Sequence, residues 1–310
     1  MIAVAKKALF EQKITCPVCE NGFTITRVRS SACFVLRRES DFRVKYRDLD
    51  PLLYSIWVCP NCQYANMENE FVKGLSENDK KKLKTELPPL KSSEPDLWHE
   101  RTPETALRAV HLALRSAIIR QAPAIVMAGL FLRGSWIFRE IGNTEMEKEF
   151  LGKAKRLYEY SFEKESNRYL EQMGQARVMY LIGELNRKLG NFDDAVRWFS
   201  RILSNRNMVV EPDLQRLIRD QWEVAREEHK KGSAGEPQEE KKEMKPVEIS
   251  IVLGHEQAEW LKHVVQRSFE YHGARIEDAE IIKVIIELLA EKYPDLALKS
   301  VEELKNLLAV

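Results

Sequence analysis

Two Cys-Pro-x-Cys pairs place the strongest constraint on this 310-residue chain. Cys16 and Cys19 flank Pro17 and Val18, and Cys59 and Cys62 flank Pro60 and Asn61. Each Cys-x-x-Cys turn can supply one edge of a tetrahedral metal site, and each proline stiffens its turn. A thioredoxin-like dithiol needs only one pair, set before a helix in a βαβ unit; neither condition is met here. Four unrelated thiols would not repeat the Cys-Pro spacing. Five cysteines in the whole chain are too few for a disulfide scaffold. The expectation is one structural Zn2+ held by Cys16, Cys19, Cys59 and Cys62, with no open position for substrate. Cys33 reads as a buried strand residue outside that set. Many such knuckles carry Gly after the second cysteine, where this chain has Glu20 and Gln63.

The 39 residues between the pairs exceed the roughly 15–20 of the commonest four-cysteine spacing. The insert must therefore be an ordered β excursion. Partial period-two alternation of Phe23 with Ile25, Phe34 with Leu36, and Phe42 with Val44 and Tyr46 marks two or three short strands. A zinc-ribbon-like domain is expected over 10–75.

From 76 to 230 the pattern is helical. Thr102 is an N-cap and Pro103 the first helical residue; Leu107, Val110, Leu114 and Ile118 share one face. Pro123 restarts the chain, and the next helix ends near Gly142. Further helices are expected over 144–165, 168–189, 192–204 and 212–229. The segment 231–246 is charged, lacks apolar periodicity and carries Gly232, Gly235 and Pro237, so it reads as a flexible linker. Beyond it, Val247, Ile249, Ile251 and Leu253 alternate as a strand. Helices at 255–272 and 277–293 follow, and a last one opens on a Ser300/Glu303 capping box. The fold class is mainly α with a small N-terminal β zinc ribbon and a small C-terminal β-α-α module over 247–310.

The segments KITCPVCENGFTITRVRSS, RESDFRVKY and DPLLYSIWVCPNCQYA resemble a bacterial family catalogued as a domain of unknown function. In that family a four-cysteine segment precedes tetratricopeptide-like helices. The resemblance covers about 10–230; it implies metal binding and a bacterial source and carries no established activity. The stretch ARVMYLIGELNRKLGNFDDAVRWFSRILS itself resembles a tetratricopeptide repeat. Gly183 lets the paired helix approach, Ala195 is the second small contact, and Phe199 packs back. Asn186 departs from the usual aromatic. A weaker copy carries Gly134, Trp136, Gly142 and Ala154. The resemblance implies an α-solenoid whose groove takes a protein or peptide partner, with Arg177, Tyr180, Glu184 and Arg187 on the groove side. A solvated helix face is the competing reading. The C-terminal module weakly resembles ribbon-helix-helix proteins, which implies a homodimer through 247–310.

The net charge of +1 gives no global field for nucleic acid or membrane. Locally the insert is basic, through Arg27, Arg29, Arg37, Arg38, Arg43, Lys45 and Arg47, and that set is the candidate nucleic-acid surface. The alternative is a solvated sheet face whose arginines pair with Glu39, Asp41, Asp48 and Asp50. The C-terminal module is acidic, with seven basic against twelve acidic residues over 248–310, which disfavours phosphate. The six histidines are scattered without a ligand pair, and no phosphate-cradling glycine loop is present, so no enzyme is expected. No apolar run approaches about 18 residues, and the N-terminus does not read as a signal peptide; a cytoplasmic location is expected. The leading functional expectation is a zinc-binding adaptor that takes a protein or peptide partner. The alternative is a nucleic-acid-binding regulator.

Overall fold

The computed structural model describes residues 8–73, 75–87, 97–165, 168–205 and 208–235. The expected module at 247–310 and most of the expected linker lie outside the described residues.

Each cysteine pair forms the tip of an antiparallel hairpin. Strands β1 (Leu9–Thr15) and β2 (Gly22–Val28) pair from Leu9↔Val28 to Thr15↔Gly22, which places Cys16 and Cys19 in the connecting turn. The insert then makes its own hairpin, β3 (Val35–Arg38) with β4 (Val44–Tyr46), irregular between Val35 and Arg37. Strands β5 (Ile56–Val58) and β6 (Ala65–Met67) hold Cys59 and Cys62 at their tip. An isolated two-stranded hairpin is marginal in water. Here the first and last hairpins share one apolar cluster with Trp57, Tyr64 and Phe71, all buried; Tyr64 and Phe71 stack at 4.9 Å.

Two short helices follow, α1 (Glu68–Phe71) and α2 (Glu77–Glu86), the latter contributing Leu83 to the same cluster. Helix α3 (Pro103–Ile119) starts where its cap predicts. The Thr102 hydroxyl accepts from the Thr105 amide at 3.3 Å, and the Thr105 hydroxyl accepts from the Thr102 amide at 2.9 Å. That reciprocal pair satisfies two donors that a helix start leaves free.

The head is stitched to α3 by two polar devices. Strand β6 donates the Ala65 amide to the buried Ser116 hydroxyl of α3 at 3.1 Å. Just before α3, the buried Arg101 guanidinium donates to the carbonyls of Leu53 (3.0 Å), Ile56 (2.6 Å) and Leu97 (2.7 Å). Backbone carbonyls near β5 are thereby paired, where an unpaired buried acceptor costs about 1–3 kcal/mol.

The remaining helices are α4 (Ala124–Glu140), α5 (Thr144–Lys164), α6 (Arg168–Met173), α7 (Gln175–Lys188), α8 (Phe192–Ser204) and α9 (Pro212–Gly235). They contain two similar antiparallel pairs, α4 with α5 and α7 with α8. The first helix of each pair is followed by a Gly-Asn junction, with Gly142 at φ 74° and Gly190 at φ 84°. An L side chain there would be strained, so glycine ends both helices cleanly. Each pair also closes through a glycine. A Cβ on Gly134 would meet the Phe150 ring at 2.6 Å, and one on Gly183 would meet the Phe199 ring at 2.7 Å.

Three expectations change. The helix expected over 168–189 is two helices, because Gly174 sits at φ 82° between α6 and α7. The last described helix runs to Gly235, so Gly232 does not break it and the linker cannot begin at 231. Cys33 is not a buried strand residue: it follows a short 3-10 turn, is half-buried, and its Sγ donates to the Arg29 carbonyl at 3.4 Å.

Gly183→Ala is expected to force the Phe199 ring out of its seat and destabilise the fold by about 2 kcal/mol. Thermal or urea unfolding measures this. An unchanged midpoint would mean that the helix pair relaxes freely.

Candidate metal centre

The two turns bring all four sulfurs together. The Sγ atoms of Cys16, Cys19, Cys59 and Cys62 lie within 4.8 Å of one another. Cys16 and Cys62 approach to 3.6 Å, as do Cys19 and Cys59. A disulfide would need about 2.05 Å. A tetrahedral ion with bonds of about 2.3 Å would space its sulfurs by about 3.8 Å, close to what is found. The donor set therefore fits a metal ion.

Both knuckles use the same backbone hydrogen bonds. The Glu20 amide donates to the Cys16 carbonyl at 2.9 Å, and the Gln63 amide donates to the Cys59 carbonyl at 3.0 Å. The Cys16 amide donates to Asn21 O and the Cys59 amide to Tyr64 O, closing each tip. Glu20 and Gln63 sit at φ 63° and 59°, in the left-handed region that glycine usually takes. The knuckle geometry is thus kept with non-glycine residues. The Val18 amide also donates to the Cys16 sulfur at 3.4 Å.

Crowding makes the thiols unequal. Hydrogen bonds from Cys59 and Cys62 pull the Cys16 thiol down to about 2. The hydrogen bond to Cys16 pushes Cys59 up to about 12, and bonds to Cys16 and Cys59 push Cys62 up as well. One thiolate among four close sulfurs disfavours the next, and a cation at the centre is what lets all of them ionise.

The insert hairpin leads to a second constellation. Its tip, Glu39 to Arg43, is seated between the two helix pairs. Arg139 of α4 donates to Glu39 at 2.5 Å and to Asp41 at 2.6 Å, and also holds Glu147 of α5 at 2.6 Å. Lys188 of α7 lies 3.6 Å from the fully buried Asp41 carboxylate. Tyr180 donates its hydroxyl to the Ser40 carbonyl at 2.7 Å, and Ser40 donates its own hydroxyl to Glu184 at 2.5 Å. Phe42 stacks on Tyr180 at 5.2 Å and beneath Arg177 at 5.3 Å. Arg187 grips Glu184 with two bonds of 2.9 Å and reaches Glu228 of α9.

Burial acts to raise the Asp41 carboxyl, but the Arg139 bond and the nearby Lys188 charge outweigh it, and the carboxyl ends below its usual range. Glu39 ends low for the same reasons, with Arg139 and Arg37 as its donors. Burial and the Glu184 carboxylate drive the Tyr180 phenol up, so it stays protonated as a donor.

A family described as "Uncharacterized protein conserved in bacteria" (DUF2225) matches residues 9–225. The chain belongs to this family. A relative described as an uncharacterized protein, from Borreliella burgdorferi (strain ATCC 35210 / DSM 4680 / CIP 102532 / B31), is 27% identical over 221 residues; these cover 59% of this chain and 79% of the relative. No solved structure matches the chain. The DUF2225 match spans both cysteine turns and both helix pairs.

Within this DUF2225 chain the groove residues named from the sequence, Arg177, Tyr180, Glu184 and Arg187, all lie along α7, three of them directly on the insert tip. Tyr180 and Glu184 are fully buried. Arg139, Asp41 and Lys188 complete that network and were not among the expected site residues. Their only sequence signal is the RESDF stretch, which gives no hint of its partners.

The basic insert divides. Arg43 is buried and pairs with Asp50 and Glu140; Lys45 pairs with Glu140; Arg27 pairs with Glu68. Arg37 reaches Glu39 at 3.1 Å, and Arg47 reaches Asp48 at 3.0 Å and covers Phe34. Arg29 lies 5.0 Å over the Phe10 ring, and Arg38 is exposed. Most of the set thus serves acids or rings of its own chain. Phe42 is not a strand residue as the alternation suggested. It stands at φ 68° in the turn that reverses the chain between β3 and β4, and from there its ring lies against Tyr180. Among the described residues no helix is long and apolar enough to cross a membrane.

A group whose carboxyl is lowered by folding adds stability above its unfolded value and loses it as pH falls. Asp41 should therefore contribute fully above about pH 4, and its contribution should fade as pH drops below that. Urea unfolding at several acidic pH values should show a steeper loss for the wild type than for Asp41→Asn; parallel profiles would contradict the pairing. Replacing exposed Glu20 by Gly should relieve the left-handed strain and stabilise the head by about 0.5–1 kcal/mol, read from the same unfolding curves.

Proposed function

We propose that this protein is a non-enzymatic, cytoplasmic adaptor whose head is held by one structural zinc ion and whose helix pairs engage a protein or peptide partner. The observation that carries the reading is the cleft between α4 and α7. There the chain's own Glu39–Arg43 turn is held by backbone and side chain together, in the manner of a peptide reader. Four cysteine sulfurs within 4.8 Å of one another favour zinc over oxygen-seeking ions, and a four-thiolate site leaves no position for catalysis. Thiols stay reduced in the cytoplasm, the compartment this reading needs. The tetratricopeptide likeness of the two helix pairs supports the same role. The nucleic-acid alternative is weaker, because most of the basic insert is already engaged.

Purified under metal-replete conditions, the chain should carry one zinc per molecule. Cys16→Ser should lose the metal and several kcal/mol of head stability. Metal-free wild-type protein with an intact head would sink the zinc assignment. For the adaptor reading, a photo-crosslinking residue in place of Arg177 should capture a specific partner in the native bacterium, identified by mass spectrometry. Reproducible absence of any specific adduct would count against it. A gel shift with random DNA and RNA whose affinity falls with salt would favour the regulator instead.

A further inference from the structure

The cleft between α4 and α7 is filled by the chain's own Glu39–Arg43 turn, and the manner of filling is informative. The contacts that α4 and α7 make to Ser40, Asp41 and Phe42 are ones that a separate polypeptide could also receive. Arg139 and Lys188 read the Asp41 carboxylate, Tyr180 reads the Ser40 carbonyl, Glu184 reads its hydroxyl, and Arg177 with Tyr180 sandwich the Phe42 ring.

Two features argue against simple structural glue. The contact is a buried ionic network, and such networks add specificity more than stability, because desolvation offsets much of the attraction. Phe42 is also strained: a non-glycine residue at φ 68° costs on the order of 1 kcal/mol or more. The strain arises because the turn must reverse direction between β3 and β4, with the Glu39 amide bonded to the Arg43 carbonyl at 2.7 Å. A linear segment with the same side chains need not make that reversal.

We infer that the α4–α7 cleft is a binding site for a partner protein's segment of the type Ser-Asp-Phe, and that the chain's own Glu39–Arg43 turn is a resident mimic which that segment displaces. This rests on the adaptor reading and names the partner's chemistry. A hydroxyl residue, an acid and an aromatic in succession match the Glu184, Arg139/Lys188 and Arg177/Tyr180 positions. A tethered mimic competes at an effective concentration in the millimolar range, so the intact chain binds such a segment weakly until the turn is dislodged.

The test uses a fluorescent peptide of the sequence RRESDFRVK, corresponding to residues 37–45, titrated into the full chain by anisotropy. Phe42→Ala removes the ring that Tyr180 and Arg177 hold while keeping the left-handed backbone strain, which loosens the resident turn. The peptide should bind Phe42→Ala at least tenfold more tightly than wild type, and a peptide with Ala in place of Phe should lose that binding. Equal, weak binding to both proteins, with helicity and metal content matched, overturns the inference. A measurement on the wild type alone guards against misfolding of the variant: excess peptide should speed hydrogen exchange of the amides at 39–43, and unchanged exchange also overturns it. If the peptide fails while the Arg177 cross-linker still captures a partner, this inference falls and the adaptor reading stands. If wild-type dimers form and the peptide dissolves them, the occupant is a second copy's turn, and the foreign-partner inference is likewise overturned.

Discussion

The meeting of four thiol sulfurs at two hairpin tips is the constraint on which the rest of the head depends. Neither β1–β2 nor β5–β6 buries enough by itself to persist in water. Once their tips are joined, Trp57, Tyr64 and Phe71 have a common surface to pack on, and the strand edges fall where α3 can satisfy them. The ordering of the tips and the ordering of this small core are therefore one event. A metal that binds the folded arrangement and not the open chain stabilises both together.

That joint also fixes where the insert goes. Its two ends are pinned at Cys19 and Cys59, so the chain between them projects as a hairpin. The tip of that hairpin reaches helices more than 90 residues away in sequence, with Arg139 meeting Asp41 and Tyr180 meeting Ser40. Two of the ties between the head and the helices stand out, one at and just before α3 through Ser116 and Arg101, the other between α4 and α7 through Glu39 to Arg43. The two ties differ in chemistry. The first satisfies backbone groups next to an apolar cluster. The second pairs buried charges with one another, where orientation matters more than net attraction.

The helix pairs follow small-residue logic. Glycine at 134 and 183 brings two helices close enough for Phe150 and Phe199 to lie against backbone. Asn186 takes a place where an aromatic is usual in the repeats it resembles. It is fully buried; its side-chain amide donates to the Ile182 carbonyl at 2.9 Å, and its side-chain oxygen accepts from the Asn191 side-chain amide at 3.3 Å. That second bond ties its side chain to the Gly-Asn junction, a contact an aromatic ring could not make.

Short-range chemistry was legible in the amino-acid sequence alone. The repeated Cys-Pro-x-Cys spacing announced four converging thiols, Thr102 and Pro103 announced a helix start, and Gly183 with Phe199 announced a close helix pair. The first two depend on residues within a turn or on a repeated spacing that survives without knowledge of the fold; the third came from the resemblance to a tetratricopeptide repeat. The near pairs Arg37–Glu39, Arg47–Asp48 and Arg43–Asp50 were within reach of the sequence, but only tertiary structure decided what Phe42 and Asp41 would touch. Their partners on the helices lie about a hundred or more positions away, and a charge or ring in a turn carries no mark of which distant face will bury it. The same limit hid the tip's neighbours: the sequence pointed to Arg177, Tyr180, Glu184 and Arg187 and to the RESDF stretch separately, and only the folded chain set one against the other.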